Sequence, residues 1–114
     1  MANDPHPLLP GTLDLLILKA VSLGDRHGYG VLLRLQQMTG GKLSLEQGAI
    51  YPALYRLERQ DLIAGEWGTS DNNRRAKFYR LTAAGRRRLR EETDGWNRTV
   101  NIMAAALKSR PEEA

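Results

Sequence analysis

Apolar residues at helical spacing in three short segments before residue 60, two strand-like runs joined by the turn-dense stretch 68–73, and a long closing segment with a single apolar stripe predict the fold. It is mainly α with a small β-hairpin: a winged helix-turn-helix plus a long C-terminal dimerisation helix. At 114 residues the chain has room for one modest core and not two. The expected organisation is a flexible N-terminal arm over 1–11, a winged helix-turn-helix domain over 12–81, the dimerisation helix over 82–108 and a flexible tail over 109–114.

The first helix is expected from Thr12, a residue able to cap a helix, with Asp14 in the first turn, where the positive helix end favours an acid. Leu13, Leu16, Ile17, Ala20 and Val21 keep helical spacing, Leu15 and Leu18 widen the apolar face, and Gly24 terminates the run. Asp25 to Gly28 reads as a loop. A second helix over Tyr29 to Met38 has Val31, Leu32 and Leu35 on its apolar side, and Thr39-Gly40-Gly41 ends it.

Ser44 reads as the N-cap of the third helix, with Gln47 placed to close a capping box. Ile50, Ala53, Leu54 and Leu57 stand at i, i+3, i+4 and i+7, the one-face pattern of an amphipathic helix. Pro52 removes one N–H, and its ring crowds the carbonyl of Gly48, so one helix with a small kink or tightened turn is expected there. Asp61 closes it. Leu62 to Trp67 and Ala76 to Leu81 then read as two strands joined through Gly68 to Asn73. Thr82 caps the last helix, about Ala83 to Leu107, with Gly85 and Gly95 as weak points.

Composition narrows the function classes. The chain has no cysteine, so disulfides and thiolate metal sites are excluded, and no metal or cofactor is expected. No apolar run reaches the roughly 18–20 residues that span a bilayer, and the proline-bearing start does not read as a signal peptide, so a cytoplasmic protein without membrane contact is expected. Net charge is +4, but its distribution says more: from Asn73 to Arg90 the chain carries Arg74, Arg75, Lys77, Arg80, Arg86, Arg87, Arg88 and Arg90 and no acid. Such a block matches the footprint of a phosphate backbone, and also that of a solvated basic face.

At about 100° per residue the side of the third helix opposite its core face shows Gly48, Pro52, Tyr55 and Arg59, with Tyr51 and Arg56 on the shoulders and Gln47 near the start. Small residues let DNA approach, and tyrosine hydroxyls and guanidinium groups suit phosphates and base edges. Ser44 joins these as a DNA-facing candidate. For Tyr51 and Tyr55 the alternative is half-buried packing against the hairpin. Asn72, Asn73, Arg74 and Arg75 form the hairpin tip and Lys77 adjoins it, for phosphate or minor-groove contact or as a solvated loop. Arg86, Arg87, Arg88 and Arg90 oppose the dipole at the start of the last helix, so they either meet phosphate or line a solvated face.

Trp96, Val100, Met103 and Leu107 make a stripe beyond the three-helix core. Exposed, it would be an apolar patch that soluble monomers avoid, so a partner helix is the simplest cover; packing back on the first helix is the alternative. Trp96 and Met103 could line an apolar effector slot or simply be interface core.

Several segments together resemble the PadR family of transcriptional regulators: Gly11 to Leu18 its opening helix, His27-Gly28-Tyr29-Gly30 its second helix, Gln47 to Glu58 its recognition helix, and Leu62-Ile63, Trp67 and Arg75 to Gly85 its wing and the entry to its last helix. The short single closing helix is similar to the small subgroup. The resemblance implies a homodimeric repressor on palindromic operators in double-stranded DNA, in some cases released by a phenolic acid or lipophilic drug. It also implies DNA contact by Gln47, Tyr51, Tyr55 and Arg56, wing contact by Arg74, Arg75 and Lys77, and a last helix packed on the partner's last and first helices, which brings Leu16 into the interface. Trp96 falls where multidrug-binding relatives place an aromatic ring near the dimer centre.

An enzyme is not expected: His6 lies in the arm and His27 in a loop, as a structural residue or phosphate contact, Ser44 has no evident base, and the acids form no clear pair. A winged helix that binds only protein is the remaining alternative, since fold alone does not decide function.

Overall fold

A computed structural model describes residues 11–43 and 47–113. The expected arm over 1–10, and Ser44 as cap and DNA contact, lie outside them, as does the side chain of Gln47 and with it the capping box.

Helix α1 runs Thr12–Ser22. Its cap position belongs to Gly11, at φ +86°, so Thr12 is the first helical residue and not the cap. Glycine adopts this left-handed geometry without a Cβ penalty. At the other end the Gly24 N–H donates to the Val21 carbonyl (3.2 Å), as expected of a terminator. Arg34 completes that end: its Nη1 donates to the carbonyls of Ala20 (2.7 Å) and Gly24 (2.8 Å). Burial, and secondly the nearby Arg26, pull this guanidinium below its ordinary pKa.

The expected loop at Arg26 and His27 is instead a short strand, β1 (Arg26–His27), paired antiparallel with Tyr79 and Phe78. Two residues carry no readable alternation, so only the distant partner defines them as a strand. His27 then caps α2 (Gly28–Met38), its Nδ1 accepting from the Gly30 N–H at 3.0 Å. Its ring meets Phe78 edge-on at 5.5 Å. His27 is thus a structural residue joining α2 to the sheet.

Helix α3 (Gln47–Arg59) is one continuous helix with Pro52 inside it. It ends with Asp61 in a left-handed turn (φ +59°) and the Leu62 N–H donating back to the Leu57 carbonyl (3.1 Å). The hairpin follows as β2 (Ile63–Thr69) and β3 (Arg75–Leu81), in register from Ile63↔Leu81 to Thr69↔Arg75, and the sheet order is β1-β3-β2. The strands run further toward the tip than the alternation predicts. The turn is closed by Ser70 N–H to the Arg74 carbonyl (2.8 Å), with Asn73 at φ +58°.

Thr82 caps α4 (Ala83–Leu107), accepting from the Gly85 N–H at 2.9 Å, while its hydroxyl donates to the Asp61 carbonyl at 2.6 Å. One side chain therefore starts α4 and ties it to the end of α3. Gly85 is buried, and a Cβ there would overlap the Leu62 carbonyl. Its absence of a side chain is what lets α4 seat on the sheet. At 1.5 Å per residue α4 is about 37 Å long, which accounts for the elongated outline of 63 × 36 × 20 Å. A single 3-10 turn, Pro111–Glu113, follows.

The core joins all layers. Ile17 and Leu18 of α1, Leu35 of α2, Ile50, Leu54 and Leu57 of α3 and Ile63 of β2 are almost wholly buried, with Tyr79 and Leu81 of β3 closing the sheet side. Among the described residues no helix is long and apolar enough to cross a membrane.

Candidate nucleic-acid interface

The period of α3 divides it into a buried and an open side. Ile50, Ala53, Leu54 and Leu57 are at most 1% exposed. Tyr51, Pro52, Tyr55, Arg56 and Arg59 are exposed. Tyr55 is 61% exposed, and the Arg59 guanidinium lies 5.7 Å from its ring centre. Tyr51 is 46% exposed, and where packing against the hairpin was the alternative, its ring lies over Gly28 at the start of α2, so close that a Cβ there would collide with it. The two helices of the helix-turn-helix are keyed together at that point.

Two predicted DNA-facing cations have partners within the fold. Arg56 pairs with Asp14 of α1 (2.5 Å), which turns it toward the α1 side of the helix. Lys77 of β3 pairs with Glu58 of α3 (2.8 Å) and so acts as a latch between helix and wing, not as a free wing cation. The hydrogen bond to Glu58 is the main cause of a raised Lys77 pKa. A pKa raised in the folded state stabilises fully below the unfolded value and loses that contribution as pH rises through the folded one. The lysine end of the latch therefore stays charged through neutral pH and loses its charge only in alkali.

The tip residues Asn72, Asn73, Arg74 and Arg75 are all exposed. Residues alternate along β2 and β3, so Trp67, Arg75 and Lys77 share the sheet face of buried Ile63, Tyr79 and Leu81, the face that meets α3. The open side of α3 and this wing face are consequently neighbours, linked by Glu58 and Lys77. Trp67 is a member that the sequence reading missed: it is 58% exposed and the Arg75 guanidinium sits 4.6 Å from its ring centre. An exposed tryptophan directly before a turn was the available signal.

Beyond the body, Trp96, Val100, Met103 and Leu107 are exposed along α4, from 42% at Trp96 to 78% at Leu107. Ile102, one residue before Met103 and so about 100° round the helix from it, is 67% exposed on another face. Leu16 is half-buried against its own core. Between α1 and α4 lies a groove of about 590 Å³ lined by Asp14, Leu15, Leu18, Gly95, Trp96 and Thr99 among others; Met103 is not part of its lining. Among the described residues no three His, Asp or Glu side chains are grouped to hold a metal ion.

Comparison with known proteins gives concordant results. Residues 17–91 match the model of the transcriptional regulator PadR-like family. The fold superposes on a PadR-like transcriptional regulator of Bacillus cereus with a TM-score of 0.76 and 26% identity, covering 88% of this chain and 95% of that one. A PadR family transcriptional regulator of Eggerthella lenta superposes with a TM-score of 0.75 and 29% identity, over 88% of this chain and 85% of its own. The transcriptional regulator YqjI of Escherichia coli is 40% identical over 53 residues, 46% of this chain and 26% of that protein.

Proposed function

Because the chain belongs to the PadR-like family of transcriptional regulators, we propose that it is a cytoplasmic repressor that binds a palindromic operator in double-stranded DNA as a homodimer. The observation that carries this reading is the continuity of the open α3 side, with Tyr51, Tyr55 and Arg59, and the cationic wing face bearing Arg75. In this reading α3 enters the major groove and Arg74 and Arg75 meet the flanking phosphates. Arg56 contributes from the edge of the site, held by Asp14, and Lys77 sets the angle of the wing through Glu58. Asn72 and Asn73 are assigned to the same surface, while Ser44 and the Gln47 side chain, expected to face DNA, lie outside the described residues.

The apolar face of α4 would be covered by a second copy, with Leu16, Trp96, Val100, Met103 and Leu107 in the seam. Two-fold symmetry then sets operator half-sites about one helical turn apart, ~34–36 Å. Trp96 lines the groove beside α1, which supports its assignment as one wall of a slot for a small aromatic or lipophilic effector; Met103, the other residue of that assignment, lies further along the helix. An effector there would touch α1 and α4 together and so bear on the spacing of the two recognition helices.

The double variant Arg74→Ala with Arg75→Ala tests the wing assignment. Affinity should fall for every duplex, and the slope of log K against log salt should flatten by about 0.9 per lost phosphate contact. An unchanged slope would contradict the assignment. Tyr55→Ala separates surface from core: folding stability should stay within about 0.5 kcal/mol of the parent while operator binding weakens. A fall of several degrees in thermal midpoint would instead place that ring in the packing.

A further inference from the structure

From the Trp67–Arg75 pair we infer that the exposed indole of Trp67 is a positioning platform that holds the Arg75 guanidinium ready for a backbone phosphate of duplex DNA. The inference rests on the DNA-binding reading above. Three features of the wing lead to it. Trp67 has no place in the core, being 58% exposed, and it stands opposite Lys77, two residue pairs in from Thr69↔Arg75 at the end of the ladder. Arg75 lies diagonally across the two strands from it, with its guanidinium carbon 4.6 Å from the ring centre. The neighbouring cation on the same face, Lys77, is already held by Glu58. Arg75 is thus the first cation beyond that latch on the face that meets α3, and an aromatic ring, not a carboxylate, supports it.

The distinction matters chemically. A carboxylate partner would neutralise the guanidinium and occupy its N–H edge. A ring takes its face, leaves the charge intact and leaves the in-plane donors, whose fork matches two phosphate oxygens, directed outward. Stacking also restricts a long side chain that would otherwise lose rotamer freedom on binding, so part of that ordering cost is met before DNA arrives. Arg74, one residue nearer the turn, is exposed and has no ring contact, and it serves as the internal comparison.

A double-mutant cycle on the 114-residue protein tests the inference. Because a phosphate contact is independent of sequence, the probe is a mixed-sequence 24-base-pair duplex at low salt. Arg75→Ala should weaken binding about tenfold and lower the salt slope by about 0.9. Trp67→Ala should weaken it about fivefold, the scale of a cation–π contact. The double variant should bind within about twofold of Arg75→Ala alone, because Trp67 acts through Arg75. Trp67→Phe keeps a ring face and should recover most of the affinity. Trp67→Leu keeps apolar bulk without a ring face and should behave like Trp67→Ala, which covers the case in which alanine disturbs the strand. Combining Trp67→Ala with Arg74→Ala should give additive losses. Additivity of Trp67→Ala with Arg75→Ala, or parental affinity in Trp67→Leu, overturns the platform. Failure of the parent protein to bind the duplex overturns the DNA-binding reading itself.

Discussion

Gly85→Ala is expected to destabilise the fold by about 2 kcal/mol, within the range for forcing extra atoms into a packed site. The sign is the informative part. In an open helix interior the same change stabilises by about 1 kcal/mol, because glycine is the more flexible residue in the unfolded chain. At Gly85 the added methyl would meet the Leu62 carbonyl and the Leu81 side chain, and a backbone carbonyl cannot swing aside as a side-chain end can. The Leu62 carbonyl also accepts from the Thr82 N–H (3.2 Å), so moving it disturbs the cap of α4 as well. Gly95 on the same helix is the control: the nearest atom to a methyl there is Arg98 Nη2 at 3.8 Å. Gly95→Ala should therefore stabilise by up to about 1 kcal/mol. Denaturant midpoints of the two variants at one protein concentration check both, and a Gly85→Ala protein as stable as the parent would contradict the close seating of α4.

The second large effect is expected at Trp96. Trp96→Asp should convert the protein to monomers at micromolar concentration and weaken operator binding with it. An apolar side chain moved from water into a seam contributes about 1.5–3 kcal/mol, whereas a buried unpaired carboxylate costs several. Loss of about 3 kcal/mol corresponds to a roughly hundredfold weaker dimer. Trp96 is 42% exposed and also lines the groove with Leu15 and Leu18 of α1, so the fold of the variant is measured beside its oligomeric state. Sedimentation gives the oligomeric state and far-ultraviolet dichroism the fold. A variant that still sediments as a dimer would place the seam elsewhere on the molecule.

How far the sequence could be read depends on the range of each interaction. The core face of α3 was legible because Ile50, Ala53, Leu54 and Leu57 obey a period set within one helix. The hairpin was legible from its turn residues, and Thr82 as a cap from its position before a long helical run. Strand β1 was not, since Arg26 and His27 become a strand only by pairing with Tyr79 and Phe78 far along the chain. Helix α1 starts at Thr12 as expected, but its cap falls one residue earlier: threonine is a good cap in general, while Gly11 takes the cap position through its backbone alone. The same limit applies within the site. Exposure of Tyr55 and Arg59 follows from helical phase, but the pairing of Arg56 with Asp14 and of Lys77 with Glu58 joins separate elements, so composition shows the charges and not their partners. Trp67 was placed on its strand without a role because its partner lies across the hairpin.

The open α3 side together with the wing face is proposed as one continuous surface for DNA. Selecting bound duplexes from a random pool with the parent protein tests that claim most directly. The expected result is a two-fold symmetric consensus with half-site centres about 10–10.5 base pairs apart. Retention of no duplex even at low salt, where phosphate contacts are strongest, would contradict it.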